Sequence, residues 1–339
     1  MKKPQASTIM GTSKNPARVL RVSFILFVLL SVCVYGDLPI LSKDIGNIAL
    51  DELWQLFLEY PDSETKADIL VALGMRGKGN QSITGKINNY LMELNTSFNF
   101  GMSVDYLMVS ASITAIMELD DSSSYPVLFA VLYSGYPEVI TSEASGALNF
   151  INGNLKQFLS VVIERNTPME KYIAFKTGIN SERLGASERG QLASLSLEQA
   201  LASDRENVDL TAMRYAAVLE LTSLGWTSAC PLAVRHYYSV REDFLKNAVS
   251  KNRFIEAVTC LGAVGDSQAA VILGLQLGLI NERTERTGIF DEEITLAIVQ
   301  ALGQIGYNAV FDQLLDVNNL SYPEYIKIAA REAVDRLKW

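Results

Sequence analysis

The chain has 339 residues, 49% of them hydrophobic and 20% charged, with only 9 Pro. That is the make-up of an ordered protein with a sizeable core, and it excludes a disordered or collagen-like chain. Acids outnumber bases 38 to 29 for a net charge of −9. No Lys/Arg stripe is present to release counterions from phosphates, which argues against general nucleic-acid or anionic-membrane binding.

The first 36 residues read as a secretory signal. Lys14, Arg18 and Arg21 form a basic region, and an apolar run from Val22 to Val34 is broken only by Ser23 and Ser31. Small residues at Val34 and Gly36 fit cleavage between Gly36 and Asp37. The run is shorter than the roughly 20 residues of a membrane span. Met10 offers an alternative start that shortens the signal. Two other readings stay open: an uncleaved anchor, and a lipobox at Leu30-Ser31-Val32-Cys33 that puts a lipid on Cys33.

From Ile45 onward the chain predicts paired helices. Ala72-Leu73-Gly74-Met75-Arg76-Gly77, Cys260-Leu261-Gly262-Ala263-Val264-Gly265 and Ala301-Leu302-Gly303-Gln304-Ile305-Gly306 share one pattern, each closing an apolar helical run. Related exits fall at Asp120, Asn152, Arg183 and Gly225, so successive exits lie 31 to 43 residues apart. A period of this length signals stacked helical repeats. Second helices are expected to start at Tyr60-Pro61, Tyr136-Pro137, Thr167-Pro168 and Tyr322-Pro323, with Pro at the first helical position. Glu64, Glu138, Glu170, Glu324 and the run Asp291-Glu292-Glu293 place negative charge in first turns, where the helix dipole favours it. Met102 to Glu118 is a well-phased second helix, and the fourth hairpin, around Met169 to Gly185, has the weakest repeat signal. Left-handed turns at Gly, Asn or Asp are expected to end the second helices. The helix from Pro323 to Trp339 alternates charge, as a terminal cap does.

These residues resemble the HEAT-repeat family of armadillo-like α-solenoids, in its exported bacterial type. The resemblance spans nearly all of residues 37–339, and the typical Asp-x-x-Val-Arg start of a second helix survives only as Asp209-x-x-Ala212-Met213-Arg214. It implies an all-α superhelix of about eight helical hairpins in a single domain, used as a binding surface.

Chemistry-bearing patterns are sparse. His236 is the only His, too few for a multi-His metal site and for the His-Glu pairs of HEAT-like di-iron hydroxylases. Ser63-x-x-Lys66, Ser97-x-Asn99 and Lys176-Thr177-Gly178 follow the order of penicillin-binding serine enzymes, but Lys176-Thr177-Gly178 continues a helical run where that chemistry needs a strand. Gly74-x-x-Gly77-Lys78-Gly79 lacks P-loop spacing and marks a helix exit. Cys230 and Cys260 start and end antiparallel neighbours, either as two small buried thiols or as a disulfide. Arg214, Arg253 and Glu256 are the scattered polar candidates for a concave pocket. The stretch Asn281, Glu282, Arg283, Thr284, Glu285, Arg286 up to Gly288 is expected to be a long loop that contacts a partner, since solenoid insertions gather on the binding face. Aromatic groups around Tyr125, Phe129, Tyr133 and Tyr136, and around Tyr237, Tyr238 and Phe244, suit a partner interface, with core packing at helical spacing as the plainer reading.

The expected function is therefore a non-catalytic scaffold or assembly factor of the periplasm or cell envelope. It would bind another protein, use no cofactor, and meet the membrane only through its N-terminus. A small-ligand binder or enzyme with a concave pocket, and a lipid-anchored structural protein, are the alternatives.

Overall fold

The computed structural model describes residues 47–203 and 206–339. The Gly36–Asp37 cleavage site, Cys33 and Met10 lie outside the described residues. Among the described residues the chain is all-helical, with sixteen α-helices, no strand and one isolated bridge between Tyr307 and Lys338. Two units divide between Glu59 and Tyr60. The described part of the first is essentially α1 (Leu50–Glu59), on which Leu53, Trp54 and Phe57 are buried.

The second unit holds α2 (Ser63–Arg76) and seven consecutive hairpins. These pair α3 (Gln81–Asn99) with α4 (Tyr106–Leu119), α5 (Tyr125–Tyr133) with α6 (Glu138–Phe150), and α7 (Leu155–Arg165) with α8 (Pro168–Ile179). They continue with α9 (Ala186–Ala202) and α10 (Val208–Leu224), then α11 (Cys230–Leu245) and α12 (Lys251–Val264). Last come α13 (Ser267–Thr287) with α14 (Glu292–Ile305), and α15 (Phe311–Asn319) with α16 (Glu324–Asp335). Substantial contacts join helices no more than three apart in the chain. The second helices α2, α4 and α6 pack in series, as do α8, α10, α12, α14 and α16, whereas at the break between these runs α8 lies against α5.

The repeated Leu-Gly pattern acts where second helices cross. Leu73, Leu261 and Leu302 are fully buried, each contributing about 2 kcal/mol of apolar burial. The Gly that follows lets the next helix approach to backbone contact. A Cβ on Gly74 would lie 2.6 Å from Ala115 Cα, one on Gly262 2.8 Å from Ala301 Cα, and one on Gly303 2.8 Å from Ala333 Cα. Ala301 is itself the small residue of the next pattern, so α14 receives one crossing at Ala301 and makes another at Gly303.

The exits divide into two kinds where one was expected. Asp120, Gly225 and Gly306 are left-handed (φ 55°, 56° and 69°), and each leads into a 3₁₀ turn before the next helix. Gly77 and Gly265 have negative φ and lead to first helices capped by Asn80 and Asp266, whose side chains accept first-turn N–H groups. Gly is needed at Gly265 because a Cβ would meet Leu261 O and lie 2.7 Å from Ala269 Cβ.

Helix starts also need correction. Only Pro168 occupies a first helical position, behind a Thr167–Glu170 capping box. Pro137 and Pro323 are the cap residues themselves, in extended conformation (ψ 152° and 150°), and Asp62 takes the cap after Pro61. The helix expected from Met102 starts at Tyr106, because the Asp105 carboxylate caps Leu107 N–H at 2.9 Å. At the C-terminus, α16 ends at Asp335 and Lys338 N–H turns back to Gly306 O at 2.9 Å.

Candidate functional site

The expected partner loop is not a loop. Asn281, Glu282, Arg283, Thr284, Glu285 and Arg286 form the last turns of α13, which runs to Thr287 and is capped by left-handed Gly288. Asn281 is buried, donating to Gln313 O at 2.9 Å and accepting from the Tyr322 hydroxyl at 2.9 Å. Thr284, also buried, shares that hydroxyl at 3.0 Å. Both bind α13 to the last hairpin. Glu282 pairs with Arg286 one turn on, and Arg283 and Glu285 are exposed. The alternating charge hid the two buried polar positions spaced by three residues.

The scattered candidates Arg214, Arg253 and Glu256 do meet, around two residues that sequence reasoning did not connect with them. His236 on α11 is fully buried, and its Nδ1 accepts from Arg214 Nε at 2.8 Å. Arg253 of α12 stacks 3.9 Å over the Tyr215 ring and pairs with Glu256 at 2.7 Å. The Tyr215 ring stands edge-on to His236, with centroids 5.8 Å apart. Burial, then the charges of Arg214 and Arg253, push the His236 pKa down to about 3. His236 is thus neutral at pH 7 with Nδ1 occupied and Nε2 carrying the proton, an arrangement that cannot serve as a general base. Beside it, a cleft of about 340 Å³ opens between α9, α10 and α11, lined by Arg214, Arg235, Tyr238, Ser239 and Glu242 among others. Side chains of both charges line it.

The other candidates fall into structural roles. Ser63, Ser97 and Lys176-Thr177-Gly178 lie on α2, α3 and α8, all helical. Cys230 and Cys260 are unbonded and buried, on the packed pair α11 and α12. Burial raises both thiols, Cys260 to about 11, which leaves them protonated and weakly nucleophilic at pH 7. Tyr125, Phe129, Tyr136 and Tyr237 are core residues, Phe244 stacks on Phe254, and Tyr238 is half exposed. Among the described residues no group of three His, Cys, Asp or Glu is placed to hold a metal ion, and no helix is long and apolar enough to cross a membrane.

A residue that sequence reasoning passed over as a mere exit, Arg183, clamps the break in the second-helix series. Its guanidinium donates to the Tyr125 hydroxyl at 3.1 Å, to Ile151 O, and to Gly153 O at 2.5 Å. It thereby ties down the carbonyls just past the end of α6, one of which, Ile151 O, also accepts from the Tyr125 hydroxyl at 3.0 Å. Asp120 forms a second lateral tie, accepting from Lys78 at 3.0 Å and from Asn152 N–H at 2.7 Å. Those bonds hold its carboxyl below the ordinary range.

No family model matches the chain, and no curated protein matches it.

Proposed function

We propose that residues 60–339 form an α-solenoid of HEAT-like hairpins, and that the chain is an exported, non-catalytic scaffold holding another protein in the cell envelope. One observation carries this reading: substantial helix contacts join near neighbours in the chain, so each added hairpin extends the lateral surface while the core stays thin. Such a surface suits a large, extended partner. The chemistry is consistent with that, because the one imidazole is neutral with Nδ1 engaged and both described thiols are protonated.

Photo-crosslinking from exposed positions on α3 to α16 in the native cells, read by mass spectrometry, tests the proposal. A defined protein recovered repeatedly from the same positions is the expected result. Recovery of the chain alone would sink the scaffold reading. The cleft beside Arg214 and Tyr238 favours a small-ligand reading as the second choice. That reading requires a small molecule whose binding R235A and Y238A weaken together.

A further inference from the structure

The hairpins α3–α4 and α5–α6 carry a feature that the rest of the chain lacks. From Ile87 to Leu155 there is no Lys, Arg or His, while Glu93, Asp105, Glu118, Asp120, Asp121, Glu138 and Glu143 are all acidic. At the end of these hairpins where first helices hand over to second helices, large apolar side chains are exposed. Phe100 is 79% exposed, Val139 69%, Met102 54%, and Tyr106 and Leu107 each 43%.

This edge is built rather than loose. Gly101, at φ 76°, turns the chain back over the end of α3, and Met102 N–H closes on Ser97 O at 3.0 Å. Phe100 and Met102 are thus held outward on a hydrogen-bonded turn. Beneath them the rings of Phe98 and Tyr136 stack at 4.1 Å, with Tyr106 edge-on to both at 6.2 and 6.1 Å. That stack joins the α3–α4 turn to the start of α6, which brings the exposed Phe100, Met102, Tyr106, Leu107 and Val139 to the same end of two neighbouring hairpins. Asp105 and Glu138 flank it, and neither they nor Glu93 has a cationic partner among the described residues. A pre-ordered apolar platform costs little further ordering on binding, and unpaired carboxylates around it steer cations and repel anions.

We propose that this edge docks an amphipathic, positively charged segment of a partner protein, with its apolar side chains on Phe100, Met102 and Val139 and its Lys or Arg residues toward Asp105 and Glu138. The assignment rests on the scaffold reading and names the chemistry of its partner. An anionic lipid surface is disfavoured by the same carboxylates.

The test uses the full chain and a fluorescein-labelled amphipathic Leu/Lys helix peptide, read by anisotropy at low salt and at 0.3 M salt. A scrambled Leu/Lys peptide, a Leu/Glu peptide and zwitterionic lipid vesicles serve as comparators. The wild-type chain is expected to bind the Leu/Lys peptide at least tenfold more tightly than the other probes. F100S/M102S/V139S, with an unchanged melting curve, and E138K, with only the small loss of stability that a cation in a helix first turn brings, are each expected to weaken that binding at least tenfold. L275S/L279S, which removes exposed apolar side chains from α13, is expected to leave it unchanged. Binding within twofold of wild type in F100S/M102S/V139S, equal binding of the Leu/Glu peptide, or a preference for vesicles overturns the proposal. So does a wild-type dimer in light scattering that F100S/M102S/V139S dissociates, since the edge then belongs to a second copy. A partner crosslinked elsewhere and indifferent to these variants overturns this placement while leaving the scaffold standing; the absence of any crosslinked partner counts against the scaffold.

Discussion

Two ways of joining one hairpin to the next coexist in this chain. At Gly74–Ala115, Gly262–Ala301 and Gly303–Ala333, second helices meet at backbone distance, where any added Cβ would clash. Between the hairpins α5–α6 and α7–α8, Arg183 reaches across to Tyr125, Ile151 and Gly153, and between α9–α10 and α11–α12, Arg214 reaches His236. The first kind of joint fails when volume is added. The second fails when a donor or acceptor is removed, or when pH changes its charge. A stack held by both has joints of different chemistry and so responds differently along its length.

The largest effect is expected at a glycine crossing. G74A places a Cβ 2.6 Å from Ala115 Cα and 2.9 Å from its carbonyl carbon, a backbone contact that no rotamer change relieves. A loss of about 3 kcal/mol is expected, the upper range for overpacking, measured as a lower urea midpoint. A change below about 0.5 kcal/mol would mean the crossing is loose and the contrast with the polar joints false.

At the polar joint, R183A is expected to cost about 2 kcal/mol, because its charge-assisted bonds to Ile151 O, Gly153 O and the Tyr125 hydroxyl are removed, which leaves Ile151 O with the Tyr125 hydroxyl alone. R183K should recover less than half of that loss, since an ammonium lacks the planar fork that serves several acceptors at once. Full recovery with Lys would reduce the clamp to a simple charge effect.

The Arg214–His236 joint should be sensitive to acid. The imidazole has an ordinary pKa of 6.5 and about 3 when folded, so the unfolded chain binds more protons between those values. Its contribution is complete above pH 6.5 and declines as pH falls toward 3, at about 1.4 kcal/mol per pH unit. Asp62, Asp120, Glu170 and Asp266 are lowered carboxyls that act further down, and Asp68, raised by burial, acts in the opposite sense, so a loss from pH 6.5 to 5 points to His236. Stability should drop by about 2 kcal/mol over that interval in the wild type. H236Q should be flat there, though less stable at pH 7; an equal slope in both would exclude His236 as the cause.

Much of the helical order was legible in the sequence, because the Ala-Leu-Gly pattern performs one physical task that only small residues at that spacing can perform. The exits were less so. Gly225 and Gly265 look alike as letters, yet one needs a positive φ and the other only a missing Cβ. What separates them is the next residue: Asp266 caps a helix at once, whereas Trp226 leads into a 3₁₀ turn. The joints made by Arg183 and Arg214 were illegible, since their partners lie 30 to 58 and 22 residues away, and the carbonyls among them leave no mark in the choice of residue. The stretch Asn281 to Gly288 is helix rather than loop because alternating charge marks exposure and not irregularity, and the helix continues through the buried Asn281 and Thr284.

The smallest prediction separates crossing from composition. Gly146 lies inside α6, and a Cβ there would meet nothing within 4 Å, in a backbone any residue adopts. G146A should stabilise the chain by about 0.5–1 kcal/mol, because Ala restricts the unfolded chain without touching a neighbour. Together with G74A, the same exchange then has opposite signs on two second helices, and the difference measures the contact at Ala115. If both variants were destabilising by similar amounts, the glycines would be acting through backbone conformation. The close approach of α2 to α4 would then lose its role in ordering the repeats.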